Sequence, residues 1–243
     1  MRGLDLAQRS LRVLSYVVHM TDLAKKGRAA LGTVEKLVRS PFGGVPPLPT
    51  SGEGEAVREL SPVPRTGGMS LAQALAARRS VREFSNAPLT PEQLSGLLWA
   101  GDGRNRPEGG RTAPSAVAMY AIDIYAVMAD GVYLYDPAEH VLRRVVALDA
   151  RRLTGLQPFV DKAPLNLVYV EDKAREHLVG EAAGEDYGFV EAGAISQNVS
   201  LFCAANGLGC VVRALVDRPP LAKAMQLREK QRILLTQTVG VPA

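Results

Sequence analysis

The sequence predicts an α+β chain in which helices and strands mix without regular strand–helix alternation. Three observations lead there. Ala121–Met128 alternates like a strand, Ala129-Asp130-Gly131 turns the chain, and Val132–Tyr135 returns as the second arm of a hairpin. Glu191 to Asn206 is the most apolar helical stretch, with Ala192, Ile195, Val199, Phe202 and Cys203 on one face, and Gly207-Leu208-Gly209 closes it as a C-terminal cap. No Gly-x-Gly-x-x-Gly follows a strand, so a doubly wound dinucleotide fold is unsupported.

The remaining elements follow from local signals. Ser70 caps a short helix reaching about Arg78. Thr90-Pro91-Glu92-Gln93 combines an N-cap with proline at the first helical position and opens a helix through Leu94, Leu97, Leu98 and Trp99. Gly101 to Gly110 reads as a loop carrying Arg104 and Arg106, with Arg111 just beyond. Leu142–Val146 extends the hairpin, Ala150–Leu156 is helical, Leu165–Val170 is a short buried strand, and Cys210–Val216 and Ile233–Val239 are the last strands.

Residues 1–45 read as a basic helical extension, 46–68 as a Pro/Gly-rich linker or arm, and 69–243 as the main domain. The extension is either a pair of helices packed on protein or a basic amphipathic segment on a membrane surface; the former is the simpler reading. No run approaches the roughly 20 apolar residues of a membrane span. With no export signal, the cytoplasm is the default location.

Composition narrows the function. At 243 residues, 47% hydrophobic, 22% charged and a net charge of +4, the chain is ordinary and mildly basic. It carries no DNA-binding motif, so nucleic acid is not an expected partner. His19, His140, His177, Cys203 and Cys210 have no metal-ligand spacing, so no metal is expected. Cys203 reads as a small core residue and Cys210 as part of a strand or loop.

The most informative stretch is Arg78-Arg79-Ser80-Val81-Arg82, three guanidiniums and a hydroxyl in five positions after a short helix. Forked guanidinium donors suit a doubly charged phosphate, although a basic helix end is more often a solvated cap. Tyr125, Tyr133 and Tyr135 read first as cross-strand packing. Arg104, Arg106 and Arg111 are equally an entrance for nucleotide phosphates or a solvated loop. Gln197 and Asn198 satisfy backbone or interface groups, and Trp99 belongs to the core or a subunit interface.

Four blocks in order resemble the nitroreductase superfamily of FMN-dependent oxidoreductases. They are Arg78-Arg79-Ser80-x-Arg82, Arg111-Thr112-Ala113-Pro114-Ser115-Ala116, Ala194-Ile195-Ser196-Gln197-Asn198, and Gly207-Leu208-Gly209 with its following strand. Gln237-Thr238-Val239-Gly240-Val241-Pro242 is similar to that family's last strand. The Gly-Gly-Arg-Thr-Ala-Pro-Ser run and the Gly-Val-Tyr-x-Tyr-Asp-Pro hairpin are most similar to the thiazoline/oxazoline-dehydrogenase-like branch. The resemblance covers about residues 69–242.

It implies a mixed, largely antiparallel sheet flanked by helices in an intertwined homodimer, with FMN at the interface. It also implies ping-pong transfer from NADH or NADPH to a small aromatic or quinone-like acceptor. By the same resemblance, Arg78, Arg79, Ser80 and Arg82 hold the FMN phosphate and ribityl chain. Pro114, Ser115 and Ala116 come from the other subunit to line the flavin, and Val212, Arg213 and Ala214 pass N5 with backbone N–H groups. Tyr120 and Arg111 belong to the acceptor pocket. No catalytic side chain is implied, because the cofactor carries the chemistry.

The chain departs from the family pattern in several places. Ala118 stands where asparagine reads the flavin's pyrimidine edge, Tyr120 stands near a frequent glutamine, and Ala214 replaces a common glycine. The sequence ends at Ala243 without the basic residue often found past the last strand. Two alternatives therefore stand beside the oxidoreductase. One is an azoline dehydrogenase acting on a modified peptide, for which Lys162 and Tyr187 are the nearest candidates for a Lys-Tyr base. The other is a non-catalytic relic or binding protein.

Overall fold

The computed structural model describes residues 56–175 and 181–243; the basic extension and the first part of the arm lie outside them. Seven strands form one sheet: β1 (Val57–Glu59), β2 (Ile122–Met128), β3 (Gly131–Asp136), β4 (Val141–Val146), β5 (Leu165–Asp172), β6 (Gly209–Arg213) and β7 (Gln231–Gly240). Their order is β1-β4-β3-β2-β5-β7-β6. Every pairing between them is antiparallel. The parallel component is a single bridge from Ser80 to Cys210.

Among the described residues four α-helices flank the sheet: α1 (Leu71–Ala77), α2 (Pro91–Asp102), α3 (Glu181–Ala205) and α4 (Arg218–Ala224). Ser70 and Thr90 each form a capping box, with Gln73 and Gln93 respectively. At the end of α3, Gly207 adopts φ +68° and the Leu208 N–H reaches the Cys203 carbonyl at 2.9 Å, a Schellman closure.

Side-chain alternation splits the core between the two faces. Leu165, Leu167 and Tyr169 of β5 pack with Leu97 and Leu98 of α2 and Ile195 and Val199 of α3. Val168 and Val170 face the other way, onto Leu221 and Met225 around α4 and Ala150 before a short 3₁₀ turn. Tyr125, Tyr133 and Tyr135 are buried in the hairpin strands. Their positions opposite Leu134, Ala126 and Leu142 give the expected cross-strand packing.

Several local expectations are corrected. The apolar helix begins at Glu181, ten residues before Glu191, because Tyr187 to Val190 continue it with an exposed face. Helix α2 runs to Asp102 and shortens the following loop. Ala150–Leu156 makes only a 3₁₀ turn over Arg151–Thr154, ended at Gly155. Strand β6 stops at Arg213, and β5 runs on to Asp172 with all eight residues buried. Two elements went unread: the edge strand β1, inside the expected arm, and the seven-residue α4 behind Pro219 and Pro220.

One crossing fixes the end of the molecule that carries the arginine segment. After α1 the chain runs past the end of β6 and β7, with the Val81 N–H on the Cys210 carbonyl and the Ser85 N–H on the Val241 carbonyl, both at 2.9 Å. The side chain of Val81 lies so near Gly209 that an added Cβ there would meet the Val81 Cβ at 2.8 Å; at Gly240 it would meet the Phe84 ring at 3.0 Å. Gly209→Ala is expected to destabilise the protein by about 1–3 kcal/mol through overpacking. Thermal or denaturant unfolding checks this; an unchanged midpoint contradicts the packing described.

Candidate functional site

The crossing segment presents Arg78, Arg79, Ser80 and Arg82 on the surface. Among the described residues, none of these side chains makes a hydrogen bond or ion pair. They lie next to β6 through the Ser80–Cys210 bridge, two residues from Val212. Because the Cys210 carbonyl points at Val81, away from β7, strand alternation turns the backbone polar groups of Val212 to the same open edge; Ala214 lies just beyond the strand, and its carbonyl accepts the Val216 N–H at 3.0 Å. Val211 and Arg213 turn theirs to Thr238 and Thr236 of β7. Val212 is 38% exposed. Three uncompensated guanidiniums, a hydroxyl and an open strand edge thus share one end of the sheet. That donor set fits a phosphate ester joined to a flat hydrogen-bonding ring.

Arg213 keeps its side chain off this edge. Its guanidinium is buried, donating to the Thr154 carbonyl at 2.8 Å, Asn166 Oδ1 at 3.0 Å and Gln157 Oε1 at 3.2 Å. No carboxylate pairs with it among the described residues, and burial lowers its pKa to about 10. Behind Arg78, Cys203 and Cys210 are a buried pair of free thiols. Hydrogen bonding from Cys203 pulls the Cys210 thiol down to about 6, with burial opposing and Ser200, Gln237 and the Arg78 charge adding to the fall.

The second group of expected site residues is organised by acids the sequence did not reveal. Glu191 of α3 is buried, and its Oε1 accepts the Ser115 hydroxyl at 2.9 Å and the Ala116 N–H at 2.7 Å. Burial raises the Glu191 pKa, opposed by these two bonds. The Ser115 hydroxyl also accepts the Tyr120 N–H at 2.7 Å. Arg111 lies over the Tyr120 ring, 4.4 Å from its centroid, and donates to Asp102 at 2.5 Å. Arg175, paired bidentately with Asp123, holds the Tyr120 carbonyl. Ala118 and Tyr120 take left-handed φ angles of +57° and +50°, a conformation asparagine tolerates better than alanine. Asn198 braces the segment from α3 by donating to the Thr112 carbonyl at 3.3 Å.

The structure therefore brings Arg78–Arg82 to Val212–Ala214 and, separately, Pro114–Ala116 to Tyr120 and Arg111. It does not join the two groups within one chain. One meets α3 at Glu191, and the other is bridged to Cys210, which contacts Ser200 and Cys203 nearer the C-terminal end of that helix, a rise of about 14–18 Å. Lys162 and Tyr187 are not paired either. Lys162 precedes β5, whereas Gly188, next to Tyr187, packs against Glu171 near the far end of that strand, about 20 Å away. Asp102 and Glu191 escaped sequence reading because nothing in Gly101-Asp102 or Val190-Glu191 marks an acid as buried.

Burial raises the Asp102 pKa from 3.8 to about 7, with the Arg111 charge and hydrogen bond opposing. The folded protein thus binds this proton more tightly than the unfolded chain, and stability falls as pH rises between those two values. In Asp102→Asn, the decline of the unfolding midpoint between about pH 4 and 7 should become shallower. An identical pH profile contradicts the shift.

Comparison with known proteins agrees with this geometry. The family profile described as the Nitroreductase family matches residues 75–241. A Methanocaldococcus jannaschii protein bearing a nitroreductase name is 33% identical over 178 residues, covering 69% of this chain and 89% of its own. A crystal structure from Ralstonia eutropha, also bearing a nitroreductase name, is 43% identical with a TM-score of 0.75, covering 82% of this chain and 95% of its own. Two more distant structures share the fold. The NADPH:FMN oxidoreductase of Vibrio harveyi complexed with NAD+ has 21% identity and a TM-score of 0.54, over 71% of this chain and 68% of that one. The Escherichia coli microcin synthetase McbBCD complex has 20% identity and a TM-score of 0.63, over 89% and 94%.

Proposed function

The chain belongs to the nitroreductase family, and we propose that it is a cytoplasmic FMN-dependent oxidoreductase. It takes electrons from NADH or NADPH and passes them to a small aromatic or quinone-like acceptor in a ping-pong cycle. The observation that carries this reading is the set of exposed guanidiniums of Arg78, Arg79 and Arg82, unpartnered among the described residues, with Ser80 beside the open edge of β6. The Vibrio harveyi relative of the same fold, an NADPH:FMN oxidoreductase, supports the choice of cofactor and donor.

FMN, when bound, supplies the two-electron chemistry. The residues of this chain bind and orient. Arg78, Arg79 and Arg82 neutralise the phosphate, and Ser80 adds a hydroxyl donor. Val212 and Ala214 offer backbone N–H groups to the ring edge, and the Arg213 backbone continues the strand with its side chain turned away. Such main-chain donors stabilise developing negative charge without titrating.

The site is completed by a second copy of the chain. Pro114, Ser115 and Ala116 lie about 14–18 Å along α3 from the arginine segment, and in the proposed homodimer one copy's loop faces the other's arginines. Exposed apolar side chains on α1 and α3, namely Leu71, Leu75, Phe189 and Val190, support such an interface. Glu191 fixes the loop by holding Ser115 and Ala116, and Arg111 with Tyr120 forms the acceptor wall. The azoline-dehydrogenase reading is disfavoured by the separation of Lys162 from Tyr187.

Replacing Arg78 and Arg82 together by alanine should remove two charge-assisted contacts, about 1.5–3 kcal/mol each. FMN retention after desalting should fall by at least about tenfold, with the far-UV spectrum and oligomeric state unchanged. Flavin content equal to that of the parent protein overturns the phosphate assignment.

A further inference from the structure

On the far side of the 103–112 loop is a cavity of about 520 Å³. Its walls include the Trp99 ring, Pro62, Pro107 and Pro137, while Arg65, Arg104 and Arg106 stand at it as cations. Among the described residues no carboxylate lines it. Glu108 pairs loosely with Arg106 at 3.7 Å, in solvent. The Arg65 guanidinium lies 5.6 Å from the Trp99 ring centroid. The cavity's framework is fixed: Trp99 Nε1 donates to the Arg104 carbonyl at 3.1 Å, and Arg104 donates to the Arg106 and Pro107 carbonyls. His140 is held through both ring nitrogens, by Ser95 at 2.8 Å and Tyr135 at 2.9 Å.

With Arg104 engaged by two carbonyls and Arg106 only loosely paired, the Arg65 and Arg106 guanidiniums ask for an anion, phosphate above all. The apolar and aromatic walls ask for a flat ring. From these requirements together, we propose that this cavity binds a nucleotide: a heteroaromatic ring against Trp99 and the prolines, and a phosphate for Arg65 and Arg106. The inference goes beyond FMN chemistry and stands without it. The loop gives the cavity a structural link to the redox site, because Arg104 bridges to Arg111 and Thr112 donates to the Gly103 carbonyl immediately before Pro114–Ala116. The nucleotide is either free or the adenylate end of the nicotinamide donor.

Trp99 is the chain's single tryptophan, so its emission reports on this cavity alone. The purified full-length protein would be titrated with AMP, NADPH, phenyl phosphate and inorganic phosphate, followed by Trp99 fluorescence and calorimetry. AMP should bind saturably with a Kd of about 1 mM or tighter, better than phenyl phosphate and far better than inorganic phosphate. The Arg65→Gln/Arg106→Gln variant should weaken AMP at least about tenfold. Displacement of AMP by NADPH would identify the donor's adenylate end; AMP binding indifferent to NADPH would identify a free nucleotide. No saturable response, inorganic phosphate equal to AMP, or unchanged affinity in the double variant overturns the proposal. Flavin content measured on the same samples separates the readings: a protein that holds FMN and ignores AMP fails only this one.

Discussion

The contact of Val81 with Gly209 is the constraint on which the proposed cofactor end of this protein depends. Glycine at 209 lets the segment after α1 lie against the start of β6, and Gly240 lets Phe84 do the same at the end of β7. The Val81 and Ser85 amides then tie the segment to carbonyls of β6 and of the chain after β7. Three arginines that would otherwise be a solvated helix end are thereby fixed beside a strand edge. The concentration of positive charge there is a consequence of packing, since the segment's position is set by Val81 and Phe84 and the arginines project from it.

A second set of constraints acts through buried charge. Glu191, Asp102 and the Asp123–Arg175 pair surround the 111–120 segment, and each holds a different point on it. Removing charges from water is costly, so such groups persist where their hydrogen bonds define one conformation. Here they hold Ala118 and Tyr120 in left-handed backbone and keep the Tyr120 ring under Arg111. The cost shows in Asp102, which burial brings to half-ionisation near pH 7. Helix α3 links this set to the first: it carries Glu191 in its middle, and its closing turn leads into Gly209.

Much of the architecture was legible in the sequence because its signals are local. The capping sequences at Ser70 and Thr90, the Ala129-Asp130-Gly131 turn and the Gly207 stop all depend on near neighbours in the chain, and the structure uses each of them. The edge strand β1 was not legible: three residues have no periodicity, and only β4 makes them a strand. Helix α4 was hidden by its two prolines. For the site, the arginine segment and the strand after Gly209 were found from residue type and order. Their proximity, and the roles of Asp102 and Glu191, depend on tertiary burial that one-dimensional patterns do not carry. Arg213 shows the same limit: its position on the strand was read, but not that its side chain turns inward to Thr154 and Asn166.

The central claim is that the arginine segment and the β6 edge hold a flavin phosphate and ring. It is tested most directly by the visible absorbance spectrum of the purified protein after incubation with FMN and removal of the excess. The account predicts retained flavin bands that bleach anaerobically on addition of NADH or NADPH. A colourless protein that cannot be reconstituted would contradict it.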